Sequence, residues 1–298
     1  MLIELEEAAV RIREGRLVAF PTETVYGLGA NALNALAVAR IFELKGRPSS
    51  SPLIVHAASI EMARGLATEW PALADELATR YWPGPLTIVL PKSPAIPDIV
   101  TAGLPTVGIR VPAHPVALRL IETAGVPIAA PSANRFTHLS PTTARHVVDA
   151  FGDGVDVLDG GPSRVGIEST VVSLVGGKLT LLRPGMISLG AIERAASAGV
   201  AHASPGMHPK HYSPRTPLLL VMTAVALPDR RGAYLWWNQP GLTARSLRMP
   251  GDPTVYAARL YGVLHQLDQE GWPWIAVEAP PDTPAWAAVL DRLQRASA

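Results

Sequence analysis

Leu17-Val18-Ala19-Phe20-Pro21-Thr22-Glu23-Thr24-Val25-Tyr26-Gly27-Leu28-Gly29 opens with four apolar residues and breaks at a proline. An apolar run this short, bounded by Pro and Gly, has the length of a buried strand and not of a helix. The turn after it carries two threonines, a carboxylate and two glycines. It can offer hydroxyls and bare backbone to a ligand, or serve as an ordinary tight connection. The same grammar recurs along the first two thirds of the chain. Residues 53–56, 86–90, 107–111, 126–130 and 170–174 read as further buried strands. Between them, 34–44, 71–82, 115–124 and 142–151 have helical spacing and usable caps. The alternation predicts an α/β layered fold, with a strand order that periodicity does not fix.

The composition suits a globular chain: 298 residues, 48% apolar, 17% charged and a formal net charge of +1. No whole-chain field points to nucleic acid or acidic lipid. The absence of cysteine excludes disulfides, thiolate zinc sites and a cysteine nucleophile. The acidic start, residues 1–7, has no long apolar core, and no uncharged apolar run reaches the roughly 18 residues of a membrane helix. A cytoplasmic protein is expected, without a membrane partner. Near residue 200 the texture changes to a Pro-rich polar stretch, Ser204-Pro205-Gly206-Met207-His208-Pro209-Lys210-His211-Tyr212-Ser213-Pro214. This gives three units: residues 1–200, an extended connector at 201–217, and a small α/β domain at 218–298. In the last, 218–222 and 275–278 read as strands, and 254–270 and 284–295 as helices.

No phosphate-loop, dinucleotide, serine-elbow or zinc-pair signature is present. Four segments carry candidate chemistry instead. The first is the Thr22–Thr24 turn. The second is Lys45-Gly46-Arg47-Pro48-Ser49-Ser50-Ser51-Pro52, leading to a strand that ends at His56. Lys45 and Arg47 fall at a helix end, where the plain reading is an exposed cation complementing the dipole. The third is Ser132-Ala133-Asn134 with Ser140-Pro141-Thr142, where Ser140 reads as an N-cap and Pro141 as the first helical residue. A helix N-terminus so placed could hold phosphate. The fourth is Glu168-Ser169-Thr170, with Arg183 after the next strand. Arg110 at another strand end needs an anionic partner, from the protein or from a ligand.

In this order the segments resemble the YrdC-like family of threonylcarbamoyl-AMP synthases, over about residues 10–190. The His211-Tyr212-Ser213-Pro214 connector and the tail resemble the longer, two-domain form. The resemblance implies a twisted open sheet with a concave basic cavity, plus a small Rossmann-like C-terminal domain. It implies an enzyme, a nucleotidyltransferase that makes L-threonylcarbamoyladenylate and pyrophosphate from L-threonine, bicarbonate or CO2, and ATP, for tRNA modification. Carried over, Thr24, His56, Arg110, Ala130 and Ser169 would contact L-threonine. Lys45, Arg47, Ser51, Thr106, Ser132, Asn134, Ser140, Arg183 and Tyr212 would hold ATP, with Lys45 and Arg47 catalytic and Tyr212 closing over the nucleotide as a lid. Mg2+ would come with ATP, held by phosphates and not by a protein cage. Downstream proteins that transfer the product to tRNA are implied partners. Ser51, Ala130, Phe136-Thr137 and Ser173 depart from the family pattern. Two other readings fit less well: an RNA-binding module, disfavoured by only four lysines, and a carbamoyl-transfer subunit of hydrogenase maturation, whose additional cysteine-bearing domains are lacking.

Overall fold

A computed structural model of the protein describes residues 1–193 and 211–298. Residues 201–210 of the expected connector lie outside the described residues. The elements run α1 (Leu5–Arg13), β1 (Val18–Phe20), β2 (Gly27–Asn31), α2 (Ala35–Lys45), β3 (Ile54–His56), α3 (Ile60–Arg64), α4 (Ala72–Tyr81) and β4 (Leu86–Pro91). There follow α5 (Asp98–Thr101), β5 (Thr106–Arg110), α6 (Pro115–Ala124), β6 (Ile128–Ala129), α7 (Ala144–Phe151), β7 (Asp156–Val157), β8 (Thr170–Ser173), β9 (Thr180–Arg183) and α8 (Leu189–Glu193). The tail adds β10 (Leu218–Val221), β11 (Ala233–Trp236), β12 (Arg245–Arg248), α9 (Pro253–Glu270), β13 (Ile275–Glu278) and α10 (Ala287–Ala296).

The first layer is one mixed sheet of order β7-β1-β2-β6-β3-β5-β4-β8-β9, and the second an all-parallel sheet of order β10-β13-β11-β12. The α/β expectation holds. The first sheet is covered on both faces, as the continuous apolar strands require. One face buries Val38, Ile41, Leu77, Ala78 and Val147 of α2, α4 and α7 against Leu28, Val55 and Ile88. On the other, α1 and α6 pack with Ile12, Leu120 and Ile121 against Val18, Phe20 and Ile128.

Several expected boundaries shift. Residues 27–31 form β2, where the sequence reads as turn. A strand of Gly-Leu-Gly-Ala-Asn has little intrinsic preference for extension; tertiary packing makes it. A Cβ on Gly29 would approach both Ile128 Cγ2 and Phe20 Cε1 to 2.8 Å, so only a bare backbone passes between them. The expected cap at Ser140 is also displaced. The helix starts at Ala144, and Thr143 Oγ1 accepts from His146 N at 3.3 Å. In the tail, β11 and β12 were not read; β12 is the polar edge stretch Arg-Ser-Leu-Arg, which carries no apolar run. The last helix begins at Ala287, three residues later than expected.

The two layers share one apolar cluster. Val25, Leu139 and Ile167 of the first are buried with Tyr256, Ala257, Leu260 and Tyr261 of α9. Gly166 sits at this seam with φ +80°, and an added Cβ would fall 2.5 Å from Ala257 O. Gly166→Ala is expected to destabilise the protein by about 2–4 kcal/mol, combining left-handed strain with overpacking. Urea unfolding measures it; a loss below about 1 kcal/mol would show that the seam yields freely.

Candidate active site

Strand pairing explains why distant segments meet. β3 and β5 are parallel with His56 opposite Arg110, so the two side chains leave the sheet at one level. β4 runs antiparallel to β5, which brings Gly84 N to Val111 O and the start of β4 to the end of β5. β8 is parallel to β4, so Ser169 just before it arrives at the same edge, and antiparallel β9 returns Arg183 beside it. Ala130 follows β6 and donates its N–H to Ile54 O at 2.9 Å. The loop 131–133 extends the pairing of β6 with β2, through Leu28 N to Pro131 O and Ala133 N to Tyr26 O, both at 2.8 Å.

A pocket forms where these ends converge. It is lined by Thr22, Thr24, Val25, Arg47, His56, Arg110, Ala130, Ser132, Glu168, Ser169, Arg183, His211 and Tyr212, among others, and its free cavity is about 60 Å3. At roughly 10–15 Å3 per water, that free space matches a handful of waters.

The Thr22–Thr24 turn is a self-organised hydroxyl array. Thr22 Oγ1 accepts from Thr24 N and Val25 N, both at 3.2 Å, and donates to Val25 O at 2.6 Å. Its one proton being used there, Thr24 Oγ1 donates to it at 2.8 Å and accepts from Arg110 Nη1 at 2.9 Å. Arg110 is further fixed by Glu23 at 2.7 Å and by Gly84 O at 3.2 Å. The carboxylate that Arg110 requires is therefore its own chain's, from the turn between β1 and β2. His56 packs edge-on against Phe20, with ring centroids 6.0 Å apart. Burial and then the Arg110 charge push its imidazole down to about 3, so it is neutral at physiological pH.

Lys45 corrects the sequence reading. It is buried, not an exposed helix-end cation, and its Nζ donates to Ser132 O at 2.6 Å and to Asn134 O. Burial, then Arg47, lowers its pKa well below the ordinary lysine value. Gly46 ends α2 in the left-handed region, which turns Arg47 inward. Arg47 is also buried; it donates from Nη2 to Pro52 O at 3.2 Å, and its Nε meets no protein acceptor. Burial lowers its pKa to about 10. Arg183 donates from Nε to Ser169 O at 3.1 Å and from Nη2 to Ser169 Oγ at 3.0 Å.

The five residues expected at an L-threonine subsite, Thr24, His56, Arg110, Ala130 and Ser169, all line the pocket. So do Arg47, Ser132, Arg183 and Tyr212 of the nucleotide set. Lys45, Ser51, Asn134, Ser140 and Thr106 do not line it. Lys45 stands behind Ser132. Ser51 is buried in the turn before β3, with its N–H on Pro48 O. Asn134 closes its own loop, donating to Arg135 O and His138 O at 2.8 Å. Ser140 donates to Glu168 Oε1 at 2.5 Å, which removes it from the expected helix-terminal phosphate role. Thr106 begins β5 four residues before Arg110, about 13 Å along a strand, and lines a separate cavity of about 20 Å3 with Pro52 and Leu53.

The connector's described end is built into the site. Tyr212 has φ +62° and is buried, its hydroxyl without a protein partner. Its neighbours are stitched to both layers: His211 N donates to Arg295 O at 3.1 Å, and Ser213 N to Thr137 O at 2.9 Å. Thr137 itself has φ +68°, the conformation a glycine would take without strain, and Phe136 lies 5.9 Å from both the Arg47 guanidinium and the His211 ring. The departure at Phe136-Thr137 thus puts an aromatic contact beside the pocket. Glu168 and Arg292 were not foreseen as a pair. Glu168 Oε2 accepts from Arg292 Nε at 2.7 Å and Tyr261 OH at 3.2 Å. Glu168 is held ionised against the upward push of burial by the charges of Arg292 and Arg183. The helical spacing of Ala288, Val289, Leu293 and Ala296 places Arg292 on the apolar face of α10, a signal in the sequence that marks it as inward-facing without naming its partner.

Fold and pocket define a class: an α/β protein with a cation-rich, hydroxyl-lined pocket at a sheet edge, suited to small anionic ligands. Residues 10–185 match the Sua5, YciO and YrdC family, described as telomere recombination, and residues 186–298 match the threonylcarbamoyl-AMP synthase C-terminal domain. The chain is 43% identical to the threonylcarbamoyl-AMP synthase of Pyrococcus abyssi over 97% of its own length and 93% of that protein's. It is 41% identical to that of Bacillus subtilis over 99% and 93%. The crystal structure of P. abyssi Sua5 complexed with L-threonine superposes with a TM-score of 0.92 at 39% identity, covering 100% of this chain and 97% of that one. The chain belongs to the threonylcarbamoyl-AMP synthase family.

The buried imidazoles have a measurable consequence. His56 and His211 are both pushed down to about 3, burial being the leading cause in each. Unfolded, each takes a proton near pH 6.5. Stability is therefore intact above pH 6.5 and falls as pH drops toward 3, by up to about 1.4 kcal/mol per histidine per pH unit. Urea midpoints should decline from pH 7 to pH 5, and less in His56→Gln; an unchanged wild-type midpoint would contradict neutral burial.

Proposed function

We propose that the pocket joins L-threonine, bicarbonate or CO2, and ATP into L-threonylcarbamoyladenylate, releasing pyrophosphate, with water lost as well when the carbon arrives as bicarbonate. The carrying observation is that Lys45 and Arg47 are buried beside the pocket and bonded to backbone carbonyls. Buried cations answered only by carbonyls favour an incoming anion. Thr24, His56, Arg110, Ala130 and Ser169 form the threonine subsite. That a relative has been solved complexed with L-threonine supports threonine as the amino acid bound. Arg47, Ser132, Arg183 and Tyr212 form the nucleotide subsite, with Lys45 behind Ser132.

The threonine amine adds to CO2, giving a carbamate. A carbamate oxygen attacks the α-phosphorus, and the bond to the β-phosphate oxygen breaks. The chain's task is to hold two anions in line and stabilise charge as it spreads to pyrophosphate. Mg2+ accompanies ATP and neutralises the phosphates when bound. Glu168, which lines the pocket, and Glu23 beside it are engaged by Arg292 and Arg110, so the ion would be held chiefly through the phosphates. In this reading Tyr212, which lines the pocket, closes over bound nucleotide. The reading takes residues 1–200 as catalytic domain, 201–217 as connector and 218–298 as C-terminal domain. A cytoplasmic location and transfer of the product to tRNA by downstream proteins complete it. Among the described residues no helix is long and apolar enough to cross a membrane.

Pyrophosphate release should require both L-threonine and bicarbonate, with the adenylate seen by mass spectrometry. Equal release from ATP alone would overturn the reading. Lys45→Ala and Arg47→Ala should each slow adenylate formation more than tenfold, at least about 1.4 kcal/mol. Lys45→Ala should also destabilise by about 1–3 kcal/mol, because two buried carbonyls lose their donor. Full activity of either variant would remove that residue from the mechanism.

A further inference from the structure

Arg292 of α10 is 1% exposed, the least exposed charged side chain among the described residues. It comes from the C-terminal layer, yet it reaches the pocket wall of the other and the connector. Nε donates to Glu168 Oε2 at 2.7 Å, and Nη2 to Pro184 O at 3.1 Å, one residue after Arg183. Nη1 meets Asp291 at 2.6 Å. The guanidinium carbon lies 5.0 Å from the centroid of the Tyr212 ring. Glu168 and Tyr212 both line the pocket.

A guanidinium is the group suited to this position. Its planar fork can serve a carboxylate and a carbonyl in one plane while a face lies against an aromatic ring. A lysine ammonium cannot occupy all three places. The Tyr212 backbone, at φ +62°, is of a kind that persists only where its surroundings over-determine it. The last turn of α10 does the rest: Arg295 O accepts from His211 N, and Ala296 O accepts from Ser213 Oγ at 3.1 Å. The residues on both sides of Tyr212 are therefore anchored to the same helix that carries Arg292.

We infer that Arg292 is a positioning residue for the synthase pocket: it holds Glu168, the Arg183–Pro184 turn and Tyr212 in place, so that the last helix sets nucleotide affinity without touching substrate. The inference rests on the synthase reading. A merely structural role, gluing the layers together, would lower stability without separating the kinetic constants.

The test uses the full chain as R292K, R292M and the pair-neutral E168Q/R292M. Steady-state pyrophosphate release gives kcat and KM, thermal unfolding reports the fold, and trypsin cleavage after Arg215 reports the connector. Expected for R292K, with a near-native melting temperature, is an ATP KM raised at least fivefold, a threonine KM within twofold of wild type, and faster cleavage after Arg215. R292M should show more of the same. E168Q/R292M guards against misfolding from a lone buried carboxylate, and should fold while keeping the high ATP KM. Wild-type ATP KM and cleavage rate in folded R292K and E168Q/R292M would overturn the inference. If wild type itself releases no pyrophosphate, the synthase reading fails separately, and the cleavage rates alone decide whether Arg292 fastens Tyr212.

Discussion

A guanidinium removed from water must be met by acceptors on nearly every side, and among the described residues four are buried: Arg47, Arg110, Arg183 and Arg292. Each is answered differently. Arg110 has a carboxylate and a hydroxyl from the turn after β1. Arg183 uses the carbonyl and hydroxyl of Ser169. Arg292 takes Glu168, Asp291 and Pro184 O. Arg47 has one carbonyl, and its Nε meets no protein acceptor. Arg47 lines the pocket beside Arg110 and Arg183. The rest of the site is arranged by the answered ones, because a buried ionic bond with several partners has one geometry and resists sliding.

That constraint also explains why the second layer belongs to the site. Glu168 sits between Arg292, Tyr261 and Ser140, drawn from both layers. An apolar seam through Val25, Leu139 and Ile167 presses α9 against the first sheet. The hydrophobic contact supplies non-directional adhesion, and the carboxylate supplies register. The Tyr212 ring rests on that register, between Arg292 and Tyr261.

Much of this was legible before any coordinates. Short apolar runs bounded by Pro and Gly gave β1, β3, β4, β5 and β8 to within a residue or so, because a strand buried on both faces must be apolar along its length. Nine of the fourteen expected site residues line one pocket. The misreadings have physical causes. Gly27–Asn31 became a strand through partners on both edges, against its own propensity. Ser140 looks like a cap because its neighbours fit one, but its hydroxyl is claimed by a carboxylate 28 residues on. Lys45 looks like a solvated helix end because sequence does not reveal that the 132–134 loop folds over it.

The sequence by itself determined the layered α/β class, the hydroxyls and cations, and their places at strand ends, since strand length and turn chemistry are local properties. Only the tertiary structure decided which of those ends meet. Parallel and antiparallel pairing set whether a side chain at the end of one strand stands beside the start or the end of another. That choice put Arg110, Ser169 and Arg183 at one edge and left Thr106 at the other. It also decided that an arginine near the C-terminus completes the wall. Residues 168 and 292 are 124 positions apart, and no local pattern encodes a charge pair made across that distance by the docking of two hydrophobic surfaces.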